Sequence, residues 1–455
     1  MKIFLFAVLG ICFFSNVIAQ TEIPVPNKKQ IAWQEAELGV LLSYDLHVFD
    51  GKRYIQGDNR LTPVADHNVF HPSKLNTEQW VLAAKAAGAK FAILTATHET
   101  GFALYQSDVN PYCMKVLQWR DGKADIVREF VDACRKHDIK PGIYVGIRWN
   151  SLLGVYDFKV DGTGKMREIR QAYYNKMVEG MVNELCTNYG DWFEIWFDGG
   201  AGDTALGAPN VLPIVQKYQP NCLFYWSAQL SEARWGGSES GTVGYPCWST
   251  FTYPHMMGSK FPKIIENDFH LPKHGDSLGK YYLPAMSDAP LRGYKGRHEW
   301  FWEPGDDDYL FPVDALVTMY EKSVGRNSTL ILGLTPDTAG LIPAPDVERL
   351  KEFGEAVTKK YGKPIGLAAG GLEIDLRGSK QINAVMIGED IALGHRIKNF
   401  RVKAFMRGRW TDIASGTAVG NKFIGVLPVP VTASKVKLVI DDSFAPPAVK
   451  SFAVY

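Results

Sequence analysis

Between residues 38 and 334 the sequence alternates short, almost wholly apolar segments with longer stretches whose apolar residues recur at helical spacing, and this alternation limits the fold more than any other feature. Leu38–Tyr44, Phe91–Ala96, Lys140–Ile147, Phe193–Phe197, Cys222–Ser227 and Thr329–Leu334 read as strands. Asn76–Gly88, Ala124–His137, Met166–Tyr189, Val211–Tyr218 and Asp314–Ser323 read as helices between or after them. Strands apolar on both faces belong to parallel sheets covered by helices. No Gly-x-Gly-x-x-Gly follows the first strand, which disfavours a doubly wound nucleotide-binding sheet and leaves a (β/α)8-type barrel as the expectation.

The ends of the chain carry different patterns. Lys2, the apolar run Ile3–Phe14 and the small-residue exit at Val17–Ala19 predict a secretory signal cleaved after Ala19. Ile11 before Cys12 argues against a lipid anchor. The product is expected to be exported, periplasmic or secreted, with no membrane span. Residues 20–360 form the expected catalytic domain, with Leu350–Tyr361 as its terminal helix. After the Gly-rich break at 362–371, short alternating strands predict a small C-terminal β-sandwich over residues 361–455. Cys113, Cys134, Cys186, Cys222 and Cys247 lack the spacing of a zinc site or a disulfide framework. Lys and Arg (50) nearly balance Asp and Glu (49), so no nucleic-acid-binding surface is implied.

The stretch FEIWFDGG, residues 193–200, places Asp198 at the end of a buried strand, where a barrel keeps its reacting groups. An Asp that only caps the following turn would look the same. If the chemistry is glycoside cleavage, a second carboxyl group is needed. Glu239, glycine-flanked in RWGGSESG between Trp235 and Trp248, is the leading candidate, against a solvated loop Glu; Glu99 and Glu303 are rivals. His98 follows the second strand and could hydrogen-bond a sugar hydroxyl. Asp306–Asp308 could hold calcium, although a solvated acidic loop accounts for them better. No cofactor or metal is expected.

TATHETGFALYQS (95–107), KADIVREFVDACRKHDIKPGIY (123–144), EIWFDGG (194–200), RWGGSESG with CWST (234–250) and SVGRNSTLILGLTPDTAGLIP (323–343) resemble glycoside hydrolase family 29, the retaining α-L-fucosidases. The RW-x-G-x-E-x-G…CWS pattern is similar to the branch acting on α-1,3/1,4-linked fucose. The resemblance implies a retaining exo-α-L-glycosidase acting on an oligosaccharide or glycoconjugate. It implies Asp198 as nucleophile, Glu239 as acid/base, and Trp196 and His98 as glycone contacts. Tyr144, Trp235, Ser43, Tyr44, Tyr54 and Glu99 complete the expected substrate-binding set. The chain departs from the family pattern at three places. Ser43 and Tyr44 stand where the family has His and an aromatic, Glu99 replaces the second His of K-H-H-D-G-F, and Arg53-Tyr54 replaces Glu-Trp. These changes open L-galactose, which is L-fucose with a hydroxyl on C6, as an alternative glycone. A non-catalytic glycan-binding relative is the alternative of a different class.

Overall fold

The computed structural model describes residues 23–256 and 269–455; the leader expected over 1–19 lies outside them. Eight strands form one parallel sheet: β1 Leu38–Leu42, β2 Phe91–Thr97, β3 Lys140–Val145, β4 Glu194–Trp196, β5 Leu223–Phe224, β6 Arg234–Trp235, β7 Ala285–Pro290 and β8 Ser328–Leu334. Their order across the sheet is β5-β4-β3-β2-β1-β8-β7-β6, which is the cyclic order of a barrel opened between β5 and β6.

The expected barrel is therefore curled but not closed. Both edge strands have two residues, and the link between them turns back on itself through a Trp226–Ser231 bridge, leaving no length for a ladder. Glu232 fills the break. Its carboxylate accepts from the Phe224 amide at 2.8 Å and pairs with Lys29 at 2.6 Å, while its own amide donates to the Phe224 carbonyl. A buried side chain thus satisfies backbone groups that a neighbouring strand would otherwise satisfy.

Helices α1 Lys28–Ala36, α2 Thr77–Ala86, α3 Ile126–Lys136, α4 Gly164–Asn188, α5 Leu212–Tyr218, α6 Val313–Lys322 and α7 Ala344–Tyr361 accompany the sheet. Asn76 and Asp125 start α2 and α3 by accepting from the amides of Gln79 and Arg128. Among the described residues, no helix is long and apolar enough to cross a membrane. The segment before β1 reads as a polar leader but folds as α1, opened by a capping box at Asn27. Its buried face mixes Gln30 and Gln34 with Trp33 and Ala36, so no apolar stripe announces it: Gln30 donates to the carbonyls of Glu232 and Tyr282.

Alternate strand residues fill the barrel interior. Leu41, Ile93, Tyr144, Trp196, Tyr225, Met286 and Ile331 cluster there, closed at the N-terminal end by Trp33 of α1. Trp33 Nε1 donates to Oε2 of the fully buried Glu194 at 2.7 Å, and the other carboxyl oxygen has no partner among the described residues. Burial pushes the Glu194 carboxyl up to about 8 from 4.5. A raised carboxyl pKa supplies stability that is complete below pH 4.5 and is lost as pH rises toward 8. Glu194→Gln should therefore match the wild type in urea midpoint near pH 5 and exceed it by about 2–4 kcal/mol at pH 8. A difference that does not grow with pH would contradict this.

The C-terminal strands β9 Gly366–Ala369, β10 Glu373–Glu389, β11 Ile397–Met406, β12 Arg409–Gly416, β13 Phe423–Ser443 and β14 Val449–Val454 form one antiparallel sheet in the order β9-β14-β10-β13-β11-β12. A two-sheet sandwich is expected from the sequence, but its first two expected strands are halves of the single 17-residue β10. Register shifts between Asp375 and Lys380 and between Ile382 and Ala384 bend this strand, so one sheet curls about its own core of Ile382, Phe400, Val436 and Phe452. Asn421 ties the sheet to the barrel, donating from Nδ2 to the Gln34 carbonyl and from its amide to Asn327 Oδ1.

Candidate active site

The C-terminal ends of the parallel strands gather the polar residues. Tyr144 pairs in register with Trp196, and Trp235 with Met286, so side chains from neighbouring strands face one mouth. A band of rings crosses it: His98 stacks on Tyr144 (centroids 5.4 Å apart), followed by Trp196 (6.0 Å) and Tyr225 (5.0 Å). Phe301 meets His98 edge-on at 4.8 Å. Asp198 lies two residues past β4, half-buried, on a turn made by Gly199 and Gly200, both at positive φ. Burial first, then the nearby Asp198 carboxylate, raises the Tyr144 hydroxyl well above its ordinary pKa. Burial also holds the His98 imidazole below its usual value, so the ring is neutral at neutral pH.

Glu239 reaches the same mouth from the loop after β6. Its Oε2 accepts from Trp300 Nε1 at 3.0 Å, and His298 Nδ1 stands 3.6 Å away. Trp300 has its seat because residue 333 is glycine: a Cβ there would lie 2.6 Å from the indole. Asp288 on β7 completes the group. It is buried, and burial, then Glu239, and more weakly Asp198 raise its carboxyl well above the usual range. The carboxyl groups of Asp198, Glu239 and Asp288 therefore share one neighbourhood.

Several buried polar atoms at this end of the sheet have no partner among the described residues: His98 Nδ1, Trp196 Nε1, His47 Nε2, Trp149 Nε1, Ser151 Oγ and Thr335 Oγ1. A buried donor or acceptor left unpaired costs about 1–3 kcal/mol, so a concentration of them marks a place built for a polar ligand.

The other expected residues divide between this mouth and the scaffold. Ser43 follows the inward register of Leu41 and is buried, its amide extending the ladder to the Leu334 carbonyl. Tyr44, one residue on, necessarily faces outward, where it packs edge-on against Phe49, Phe70 and Trp80 of α2. The structure thus separates Tyr44 from the mouth. Glu99 is buried with both oxygens engaged, accepting from the Tyr54 hydroxyl at 2.8 Å and from Arg60 Nε at 2.7 Å. Glu303 accepts from the Tyr54 amide and pairs with Arg297. Both rivals of Glu239 are tied to fixed partners.

Asp307 and Asp308 are exposed, as a solvated acidic loop would have them, but Asp306 is buried, and a shared partner joins it to Asp307. Asp306 and Asp307 accept from the fully buried Arg292, which also makes a two-pronged pair with Asp346. An arginine stands where a calcium ion would have to sit. Among the described residues, no group of three or more His, Cys, Asp or Glu side chains is arranged to hold a metal ion.

Asp288, Trp300, Arg60 and His47 escape sequence reasoning. Asp288 lies in AMSDAP, where Ser, Asp and Pro break the apolar pattern that would announce a strand. Only the WFWEP cluster of aromatics around Trp300 offers a signal.

A family-wide sequence profile described as Alpha-L-fucosidase matches residues 28–263. The crystal structure of a Bacteroides thetaiotaomicron VPI-5482 protein, provisionally named an α-L-fucosidase, is similar at a TM-score of 0.93 and 53% identity, over 95% of this chain and 99% of that one. The chain belongs to the α-L-fucosidase family. It is therefore a glycoside hydrolase of family 29, the family named for a rumen bacterial structure similar at a TM-score of 0.78 and 27% identity, over 95% of this chain and 77% of that one. Alpha-L-fucosidase 1 of Arabidopsis thaliana is 27% identical over 99% of this chain and 92% of its own length. Within this α-L-fucosidase scaffold the departures at Tyr54 and Glu99 form one unit, because the two side chains hydrogen-bond each other.

Proposed function

We propose that the protein is an exported, retaining exo-α-L-fucosidase that removes α-1,3/1,4-linked fucose from glycans. The observation that carries this reading is the placement of Asp198 and Glu239. One lies at a strand end and one on a facing loop, both within the electrostatic reach of Asp288 and beside a band of aromatic rings.

In the first step Glu239 gives its proton to the departing glycosidic oxygen while Asp198 attacks the anomeric carbon from the opposite face, forming a β-linked glycosyl ester. In the second, Glu239 takes a proton from water, whose oxygen displaces Asp198 and releases the α-anomer. His98, Trp196 and Trp235 offer aromatic faces, and His98 and Trp196 ring nitrogens, that orient a pyranose. Ser43 lines the inner wall. Proton NMR of the first product from an aryl α-L-fucoside tests the reading: the α-anomer should appear before mutarotation, and the β-anomer first would refute retention.

Fucose is favoured over L-galactose because Glu99 already accepts from Tyr54 and Arg60 and is not held in reserve for a C6 hydroxyl. On matched aryl glycosides, kcat/KM for the α-L-fucoside should exceed that for the α-L-galactoside by more than about tenfold. Parity would mean that Ser43 or Glu99 binds the C6 hydroxyl. The RWGGSESG…CWST pattern supports the α-1,3/1,4 linkage, and a panel of fucosylated trisaccharides, α-1,2-linked ones included, checks it. Export rests on the leader alone; a mature N-terminus at Gln20 is the expected sequencing result.

A further inference from the structure

β7 follows the loop that carries Glu239 at three points. A Cβ at Gly236 would lie 2.5 Å from the Met286 carbonyl oxygen, so the loop leaves β6 directly against β7. Trp235 Nε1, just before the loop, donates to Asp288 Oδ1 at 3.0 Å. Gly241, just after it, donates its amide to the Asp288 carbonyl at 2.8 Å. One residue therefore grips the segment 235–241 on both sides of Glu239, by side chain at one end and by backbone at the other. Hydroxyl contacts from Ser238 to Ser240 and from Ser240 to Thr242 link exposed side chains and do not bind the loop to the sheet.

We propose that Asp288 is a positioning residue for proton transfer: by holding Trp235 it fixes the loop so that the Glu239 carboxyl meets the departing glycosidic oxygen. The proposal rests on the reading of Glu239 as the acid/base. A carboxyl group suits this task only if it does not repel Glu239. Burial and the two neighbouring carboxylates favour the neutral form of Asp288. A neutral acid accepts from Trp235 through one oxygen, and asparagine reproduces that acceptor without charge.

The test uses Asp288→Asn, Asp288→Ala, Trp235→Phe and Glu239→Gln on aryl α-L-fucosides with good (dinitrophenyl) and poor (phenyl) leaving groups. In the first step, which kcat/KM reports, a misplaced proton donor matters only where the leaving group needs the proton; the second step is common to both substrates. Asp288→Ala should lower kcat/KM on the phenyl fucoside by about 10–100-fold and on the dinitrophenyl fucoside by less than about threefold. Asp288→Asn should stay within about threefold of wild type on both, as the rescue by a neutral acceptor requires. Trp235→Phe removes the donor of the tether while keeping a smaller aromatic face, and any binding effect common to both aryl fucosides cancels in their ratio; it should show the same leaving-group bias, so it reads the proposal even where Asp288→Ala fails to fold. Adding Asp288→Ala to Trp235→Phe should cost little more, because both break one contact.

Equal losses of kcat/KM on the two leaving groups, or an asparagine variant as impaired as the alanine, would each overturn the proposal. Glu239→Gln separates the two readings. If it shows no leaving-group bias, the acid/base assignment itself fails. If it is biased and Asp288→Ala and Trp235→Phe are not, the positioning role alone fails.

Discussion

Asp198→Ala is expected to lower kcat by at least about a thousandfold on every substrate, because the covalent intermediate then has no atom to form on. The residue sits just past β4 on a turn whose next two positions are glycines at positive φ, so the truncation removes a carboxylate without disturbing a helix or a ladder. Folding should survive, as the residue is half-buried and the rings of Tyr144, Trp196 and Tyr225 beneath it pack on one another. Azide provides the second arm. A small anion entering the vacated space can attack the anomeric carbon of a substrate with a good leaving group and give the β-fucosyl azide. Identification of that product by NMR, with a rise in rate that saturates in azide, would place Asp198 on the β-face of the sugar. A variant that keeps more than about a tenth of wild-type kcat, or an azide product of α configuration, would remove Asp198 from the role.

How far the sequence announces this site depends on what each residue does besides catalysis. Asp198 is legible because its strand is apolar apart from Glu194 and two glycines follow the Asp; the contrast between wall and reacting group is written in residue types. Asp288 does the opposite. It sits inside a strand that lines the mouth, so its neighbours are Ser287 and Pro290 rather than valines, and the strand signal vanishes where the site is richest. Period-2 alternation alone separates Ser43 from Tyr44: with Leu41 inward, Tyr44 must face the helices, whatever residue a relative has there. The opening between β5 and β6 follows from two-residue strands that no periodicity can resolve. Helix α1 is hidden because half of what it buries is glutamine, Gln30 being satisfied by carbonyls that only the folded sheet brings near. Asp306 looks like a metal ligand or a solvated charge until Arg292, fourteen residues away in sequence, is found between it and Asp346.

Glu239→Gln should separate substrates by their leaving groups more sharply than any other single change. The glutamine keeps an acceptor for Trp300 Nε1, so the loop is expected to hold its place, but it has no proton to give. A natural glycan leaves as a poorly stabilised alkoxide unless protonated, whereas a dinitrophenolate leaves unaided. Loss on fucosylated oligosaccharides should therefore reach about a hundredfold or more, while the first step on the dinitrophenyl fucoside slows only slightly. The second step still needs a base to activate water, so with the activated substrate the glycosyl ester on Asp198 should accumulate. That gives a readout independent of steady-state rates: a burst of dinitrophenolate of one equivalent per enzyme, and a mass increase on the peptide containing Asp198. The alternatives make different predictions. With Glu99 as the acid, Glu239→Gln would leave glycan hydrolysis nearly intact, and breaking the Tyr54–Glu99–Arg60 contacts would abolish it. With Glu303, the sensitive site would move to the loop held by Arg297. Glu239 differs from both in how it is held: its indole donor and exposed imidazole neighbour leave one side open toward the mouth, as an acid that must meet a departing oxygen requires.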